Sequence, residues 1–440
     1  MIDRRISFVR SDQIVRSRCL CHGSFHPQTK TTRFFMGRSL GYSTYIVDKA
    51  CCSNVLMTEI FDCVIFGAGP AGASAAYGLA RAGYRVIAIA GHQHREIGCT
   101  GGVSPGVARL LDFDLTSTID HTVRDVRYTW QNGDPVTIQL DPAQAMWMVQ
   151  RDRFDALLQE QARQAGAIIH PATAIGAVLS HAQDEPRWIV KTDAESLTAR
   201  YAIVADGACS EATHWVGGQR PALRWAAMVE VEARPQAPIE PPLVEFGLGQ
   251  IDNGLLWCFP KHATVSIGAA SFLGKDDPQL VDRLLSYTRS RGWSAQPADI
   301  RQRPIALWSG DRRLHTDRAV IAGDAAGLAD PVTAEGIRPA IDSGLRAAEA
   351  IFAALANPAT AATALATYTQ TIQQTWGADF AWASRLGQIL YRVPGLAYKV
   401  AVKKPIANQL MAQVLSGDLR YSDIAAKAIA KLSKKLLPWG

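Results

Sequence analysis

The sequence predicts a mixed α/β (α+β) chain that opens on a Rossmann-type dinucleotide-binding unit and closes on helices. Three observations carry this. Near residue 60 an apolar run leads straight into a glycine-rich turn and a small-residue helix. Further on, apolar side chains alternate, as in Leu255, Trp257 and Phe259, the period of a strand. From about Asn357 the pattern becomes helical, interrupted at Pro394 and Pro405.

The opening unit is explicit. Phe61–Phe66 (FDCVIF) reads as a buried parallel strand, and Gly67-Ala68-Gly69-Pro70-Ala71-Gly72 follows it. A helix is expected over Ala73–Ala82, then Gly83, then a strand over Arg85–Ala90. Strand, glycine turn, helix and strand in about 30 residues is the context that makes a G-x-G-x-x-G informative. Gly67 makes the turn, Gly69 lets the backbone approach a pyrophosphate, and Gly72 lets helix and strand pack closely. The anion would sit on the helix N-terminus, on free N–H groups. A ribose-binding carboxylate belongs at the end of the second strand, but that place holds Ala90-Gly91-His92, and the next acid is Glu96. The ribose is then left to His92, Gln93 or the backbone.

Bulk properties bound the rest. The chain has 440 residues, 48% of them hydrophobic, enough for two or three domains. No apolar run reaches the about 18 residues of a membrane-spanning helix. The net charge of +6 lies in residues 1–56, with nine Lys/Arg against three acids. The remainder balances at 37 basic and 37 acidic residues, which argues against nucleic-acid binding. Eight cysteines are scattered without a disulfide framework, so a reducing compartment is expected. Residues 1–56 read as a leader or disordered extension upstream of Met57. Their composition also suits an import peptide. Cys19, Cys21, His22 and His26 cluster there, but a Cys-x-Cys followed by a distant Cys-Cys is not zinc spacing, and no metal site is expected.

Three further motifs follow the glycine turn in order. Val149-Gln150-Arg151-Asp152-Arg153-Phe154-Asp155 resembles a V-x-R-x-x-F-D helix start. Ala205-Asp206-Gly207-Ala208-Cys209-Ser210 resembles an A-D-G-A-x-S turn. Gly323-Asp324-Ala325-Ala326-Gly327-Leu328-Ala329-Asp330-Pro331 resembles G-D-A-A-G-x-x-x-P. Together the four resemble flavoproteins of the p-hydroxybenzoate hydroxylase-like fold. Within that fold the chain is similar to the geranylgeranyl reductase family, through three stretches. These are Cys99–Pro105 (C-x-G-G-x-S), Asn253–Lys261 (G-Y-x-W-x-F-P-K, with Leu255 in place of the aromatic) and Asp330–Ile337 (D-P-x-x-G-E-G-I, with Ala334 in place of a glycine).

The resemblance implies FAD as cofactor, held by Gly67, Gly69, Pro70, Ala71, Gly72, Arg151, Asp206, Gly207, Gly323, Asp324, Gly336 and Ile337. NAD(P)H is the implied electron donor; no second glycine fingerprint appears, in keeping with a transiently bound nicotinamide. Leu255, Trp257 and Phe259 share one strand face and would line a prenyl substrate, although spacing alone suits plain sheet core equally. Cys99 is a candidate proton donor or a residue packed on the flavin. The loop Thr333–Gly336 precedes a helix expected over Ile337–Leu355, whose N-terminus would stabilise the anionic reduced flavin. The expected reaction is reduction of isoprenoid carbon–carbon double bonds. The rivals are a flavin monooxygenase of the same fold and a flavin electron-transfer protein.

The expected organisation is an FAD-binding domain in three segments, 57–110, 147–215 and 303–356. A β-sheet substrate domain (111–146 and 216–302) is inserted, and a helical region (357–440) closes the chain. At its end Ile424, Ala425, Ala428, Ile429, Leu432 and Leu436 share a helical face beside Lys427, Lys431, Lys434 and Lys435. That helix suits either a membrane surface or packing on the body. The expected location is the cytoplasm or the cytoplasmic membrane face, with organelle import left open by the basic leader.

Overall fold

The computed structural model describes residues 59–91, 101–182, 185–218, 224–236, 239, 242–272, 277–296 and 299–427. The leader, its Cys/His cluster, His92, Cys99 and most of the terminal basic helix lie outside these residues.

The first sheet has seven strands: β1 (Ile60–Phe66), β2 (Val86–Ile89), β8 (Ile168–His170), β9 (Ala174–Ser180), β10 (Arg187–Thr192), β11 (Ser196–Val204) and β17 (Ala319–Ile321). Its order is β8-β2-β1-β11-β10-β9, with β17 also paired to β11. β1 runs parallel to both its neighbours, which explains its uninterrupted apolar sequence: both faces are covered. Helix α1 (Pro70–Arg81) starts three residues before the expected Ala73, because Pro70 occupies its first turn, where no N–H is needed. Small residues let α1 lie close against α5 (Ile337–Ala356): a side chain at Gly344 of α5 would strike the carbonyl of Ala71.

The second sheet runs β16-β12-β15-β14-β13-β5-β6. Its strands are β5 (Asp125–Trp130), β6 (Gly133–Gln139), β12 (Arg224–Ala233), β13 (Leu243–Leu248), β14 (Gly254–Pro260), β15 (Val265–Ser271) and β16 (Arg301–Leu307). β14 is buried throughout because both its faces are covered. Leu256 and Cys258 pack toward α4 (Leu280–Ser290), beside Leu280, Leu284 and Tyr287. Leu255, Trp257 and Phe259 face the other way, toward Tyr391, Tyr398 and Ala412.

A small sheet of β3 (Gly102–Val103), β7 (Met146–Val149) and β4 (Ile119–Val123) leads into α2 (Arg151–Gln164). After the short α3 (Ala212–Trp215), the C-terminal part of the described residues holds α6 (Ala361–Ile372), α7 (Ala378–Arg392), α8 (Pro394–Ala397) and α9 (Pro405–Ser416), with further helix over 421–427. Pro394 and Pro405 open α8 and α9, so the interruptions expected at both prolines are helix starts.

Candidate functional site

Three turns and two helix starts converge on one cleft of about 650 Å³. The β1–α1 turn contributes Gly67, Gly69, Pro70 and Ala71. The start of α2 contributes Arg151, and the turn after β11 contributes Asp206 and Gly207. Asp324 enters from the turn after β17, and Gly336 and Ile337 from the start of α5. Gly72 and Gly323 do not line the cleft. Gly72 serves the backbone instead, because a side chain there would collide with the carbonyl of Gly67. Gly67 itself sits at φ +94° and its Cβ would collide with the carbonyl of Ala205, so the turn after β1 and the turn after β11 close on each other only through glycine. At Gly69 a Cβ would meet nothing within 4 Å, consistent with backbone open to the cleft.

The polar groups are held in place by partners the sequence reading did not single out. Arg151 is clamped by Asp155, which accepts from Nε at 2.9 Å and from Nη2 at 2.8 Å, a charge-assisted fork one helical turn long. Asp206 Oδ2 accepts from the N–H of Ala212 at 3.1 Å. Its Oδ1 is buried and has no hydrogen-bond partner in the protein, and burial raises the carboxyl pKa. Burial likewise pushes Asp324 up to about 6, with Arg151 and Arg303 opposing the shift. Arg303 and Ile305, two apart on β16, both line the cleft, and Arg303 also approaches Glu230 at 3.4 Å. Met228, Thr173 and Glu211 are further lining residues. The Arg151–Asp155 spacing was legible in the sequence; the convergence of β16 and β12 on the cleft was not.

The starts of α1 and α5 differ. α1 has no acid in its first turn and no side-chain cap, so its N–H groups are available to an anion. The start of α5, expected from sequence to stabilise the anionic reduced flavin, is partly occupied by the chain's own carboxylate. Glu335 Oε1 accepts from the N–H of Arg338 at 2.7 Å, and burial raises the Glu335 pKa. The loop before it is organised by Asp330, whose Oδ1 accepts from the N–H of Val332 at 2.7 Å while Oδ2 accepts from the Tyr421 hydroxyl at 2.9 Å. Ala334 in this loop has φ +61°, a conformation that suits glycine.

Leu255, Trp257 and Phe259 do not line the cleft. They are 5–8% exposed and belong to a core cluster that reaches the cleft through Ile305 and Ala329, residues common to both. The two family-like stretches at this end touch: the Phe259 ring fills the space beside Gly102, where a side chain would clash, and Lys261 Nζ donates to the carbonyl of Val149. Cys99 lies outside the described residues.

These features suit an extended dinucleotide. A bare helix N-terminus takes a pyrophosphate, and a buried carboxylate oxygen of Asp206 lacks a donor that a hydroxyl-bearing ligand supplies. At the end of β2, Gly91 lines the cleft and brings no carboxylate. Among the described residues, no His/Cys/Asp/Glu group is arranged to hold a metal, and no helix is long and apolar enough to cross a membrane.

Comparison with known proteins agrees with this geometry. The family model of an FAD binding domain matches residues 61–377. A geranylgeranyl diphosphate reductase of Rhodobacter capsulatus is 30% identical over 308 residues, 67% of this chain and 76% of that protein. A digeranylgeranylglycerophospholipid reductase of Methanosarcina acetivorans is 28% identical over 324 residues, 68% and 77% of the respective chains. The crystal structure of a geranylgeranyl bacteriochlorophyll reductase-like protein from Thermoplasma acidophilum superposes with a TM-score of 0.68 at 21% identity. It covers 76% of this chain and 88% of that one, a likeness of fold.

Proposed function

The chain belongs to the geranylgeranyl reductase family of FAD-dependent oxidoreductases, and from that premise we propose that it reduces isoprenoid, geranylgeranyl-type carbon–carbon double bonds with NAD(P)H as electron donor. The observation that carries the reading is the continuity of the cleft with an apolar cluster through Ile305 and Ala329. The cleft lined by Gly67, Gly69, Arg151, Asp206 and Asp324 would hold FAD, which when bound would supply two-electron hydride chemistry between a nicotinamide and the double bond. The chain's own residues do the rest. The α1 start and Arg151 hold negative charge, and Asp206 and Asp324 accept from or donate to hydroxyl and phosphate groups.

The apolar cluster excludes water and offers Leu255, Trp257 and Phe259 to a prenyl chain, each buried methylene contributing about 0.8 kcal/mol. At their present exposure these three leave no open channel, so the chain must part them from Tyr391 and Tyr398 to enter. The proton comes from a nearby group or water, with Cys99 as one candidate donor. The proposed substrate is a prenyl lipid or diphosphate, met at a membrane surface.

The test is anaerobic. Protein reduced by NAD(P)H is mixed with a geranylgeranyl substrate while the flavin absorbance is followed. Reoxidation with a product two mass units heavier per reduced bond is expected. Reoxidation only when oxygen and an aromatic acceptor are supplied would establish a monooxygenase instead. Reoxidation by protein or dye acceptors alone would establish an electron carrier.

A further inference from the structure

The outer face of the C-terminal helices breaks the usual rule for a protein surface. Between residues 385 and 406 the exposed positions are Arg385, Leu386, Ile389, Arg392, Val393, Leu396, Lys399, Val400, Lys403, Lys404, Pro405 and Ile406. Every one except the proline is either a cation or a large apolar residue. The apolar six are 40–72% exposed. Leu386, Ile389 and Val393, three and four apart, form an exposed apolar stripe on α7 and its C-terminal cap; past the break at Val393, Leu396 and Val400 are exposed apolar residues of α8 and the turn that follows. Arg385, Arg392 and Lys399 recur every seven residues, each next to one of these apolar residues. No acid occurs between Asp379 and Asp418. Lys403 pairs with Asp134 at 2.7 Å; the other four cations pair with no carboxylate among the described residues.

A water-facing helix would carry acids and neutral polar groups here, and a protein-docking face would bury its cations against acids. Exposed apolar side chains edged only by cations match an anionic bilayer, whose acyl boundary takes the former and whose headgroups take the latter. The opposite side of the same helices reaches the site. A side chain at Gly387 would press on the carbonyl of Pro331, the Tyr391 hydroxyl donates to the carbonyl of Val332, and Tyr391 stacks on Phe272 at 4.5 Å. Tyr391 and Tyr398 belong to the cluster that holds Trp257 and Phe259.

We infer that residues 385–406 form a docking face for an anionic phospholipid bilayer, one helix layer away from the apolar end of the cleft. It deepens the membrane part of the proposed function, and vesicle binding is read without prenyl turnover, so either can fail alone. The experiment is flotation of the full-chain FAD-loaded protein with vesicles of phosphatidylcholine, with or without phosphatidylglycerol. The wild type is expected to float with the anionic vesicles and to be released by salt. Ile389→Ser/Leu396→Ser/Val400→Ser and, separately, Arg392→Glu/Lys399→Glu should each lower the bound fraction roughly tenfold or more. Both variants should keep the flavin spectrum and the turnover of detergent-dispersed substrate, since all five side chains face outward. Variants that float as well as the wild type overturn the inference. So does a wild type that ignores vesicles but forms dimers that the triple variant dissolves, which would assign the face to a second copy.

Discussion

The cofactor cleft and the aromatic face of β14 share Ile305 and Ala329, yet they are built by different means. The cleft is made of backbone: glycine turns, helix starts and carboxylates a few residues from a strand end. The β14 face is made of side-chain volume, with the Trp257 ring over Gly268 and the Phe259 ring over Gly102. Backbone recognition tolerates no added atom at a few positions and ignores most others. Volume recognition spreads its demand over every neighbour and leaves no single required residue.

The largest expected effect sharpens that contrast on the volume side. Trp257→Ala empties a large buried site and should cost about 3–5 kcal/mol of stability, read by denaturant unfolding. If instead stability holds and only prenyl affinity falls, β14 is a substrate surface and not core. On the backbone side, Gly67→Val drives a side chain into the Ala205 carbonyl at a positive φ. FAD affinity should fall roughly a hundredfold, about 2.7 kcal/mol, measured by fluorescence titration of the apoprotein. Retention of flavin by this variant would break the comparison, since the turn would then be adaptable.

Asp324 tests the cleft through pH. Its carboxyl titrates at about 6 in the fold against an ordinary value of 3.8. Ionisation is thus easier in the unfolded chain, and its cost to the apoprotein grows as pH rises between those values and is complete above about 6. Asp324→Asn should therefore raise the melting temperature of the apoprotein at pH 8, with the gain shrinking below pH 6, while FAD affinity drops. A gain independent of pH would mean the carboxyl is not the source. The smallest effect lies at the border of the two regions. Ala334→Gly relieves a left-handed alanine and should stabilise the protein by about 0.5–1 kcal/mol, seen as a small rise in melting temperature.

The Asp330–Ile337 loop shows where sequence reasoning stopped. Its motif was legible, and so was the helix that follows it. Its electrostatics were not, because Glu335 turns back onto Arg338 and takes part of the helix end assigned to an anion. The Arg151–Asp155 clamp is local and was available from the spacing. Arg303 comes from a strand about 150 residues away from Arg151, and no local pattern could announce it.

By itself the sequence determined the mixed fold, the βαβ opening, the family and the turns that face the cleft. Those features depend on backbone conformations that only particular residues adopt, so they leave a mark in one short stretch of chain. Tertiary structure alone decided which faces of β14 are covered, which carboxylates lose their water, and which helix face stays bare with its cations outward. Burial, pKa and exposure are set by what packs against a residue from far along the chain, and a linear pattern carries no record of that partner.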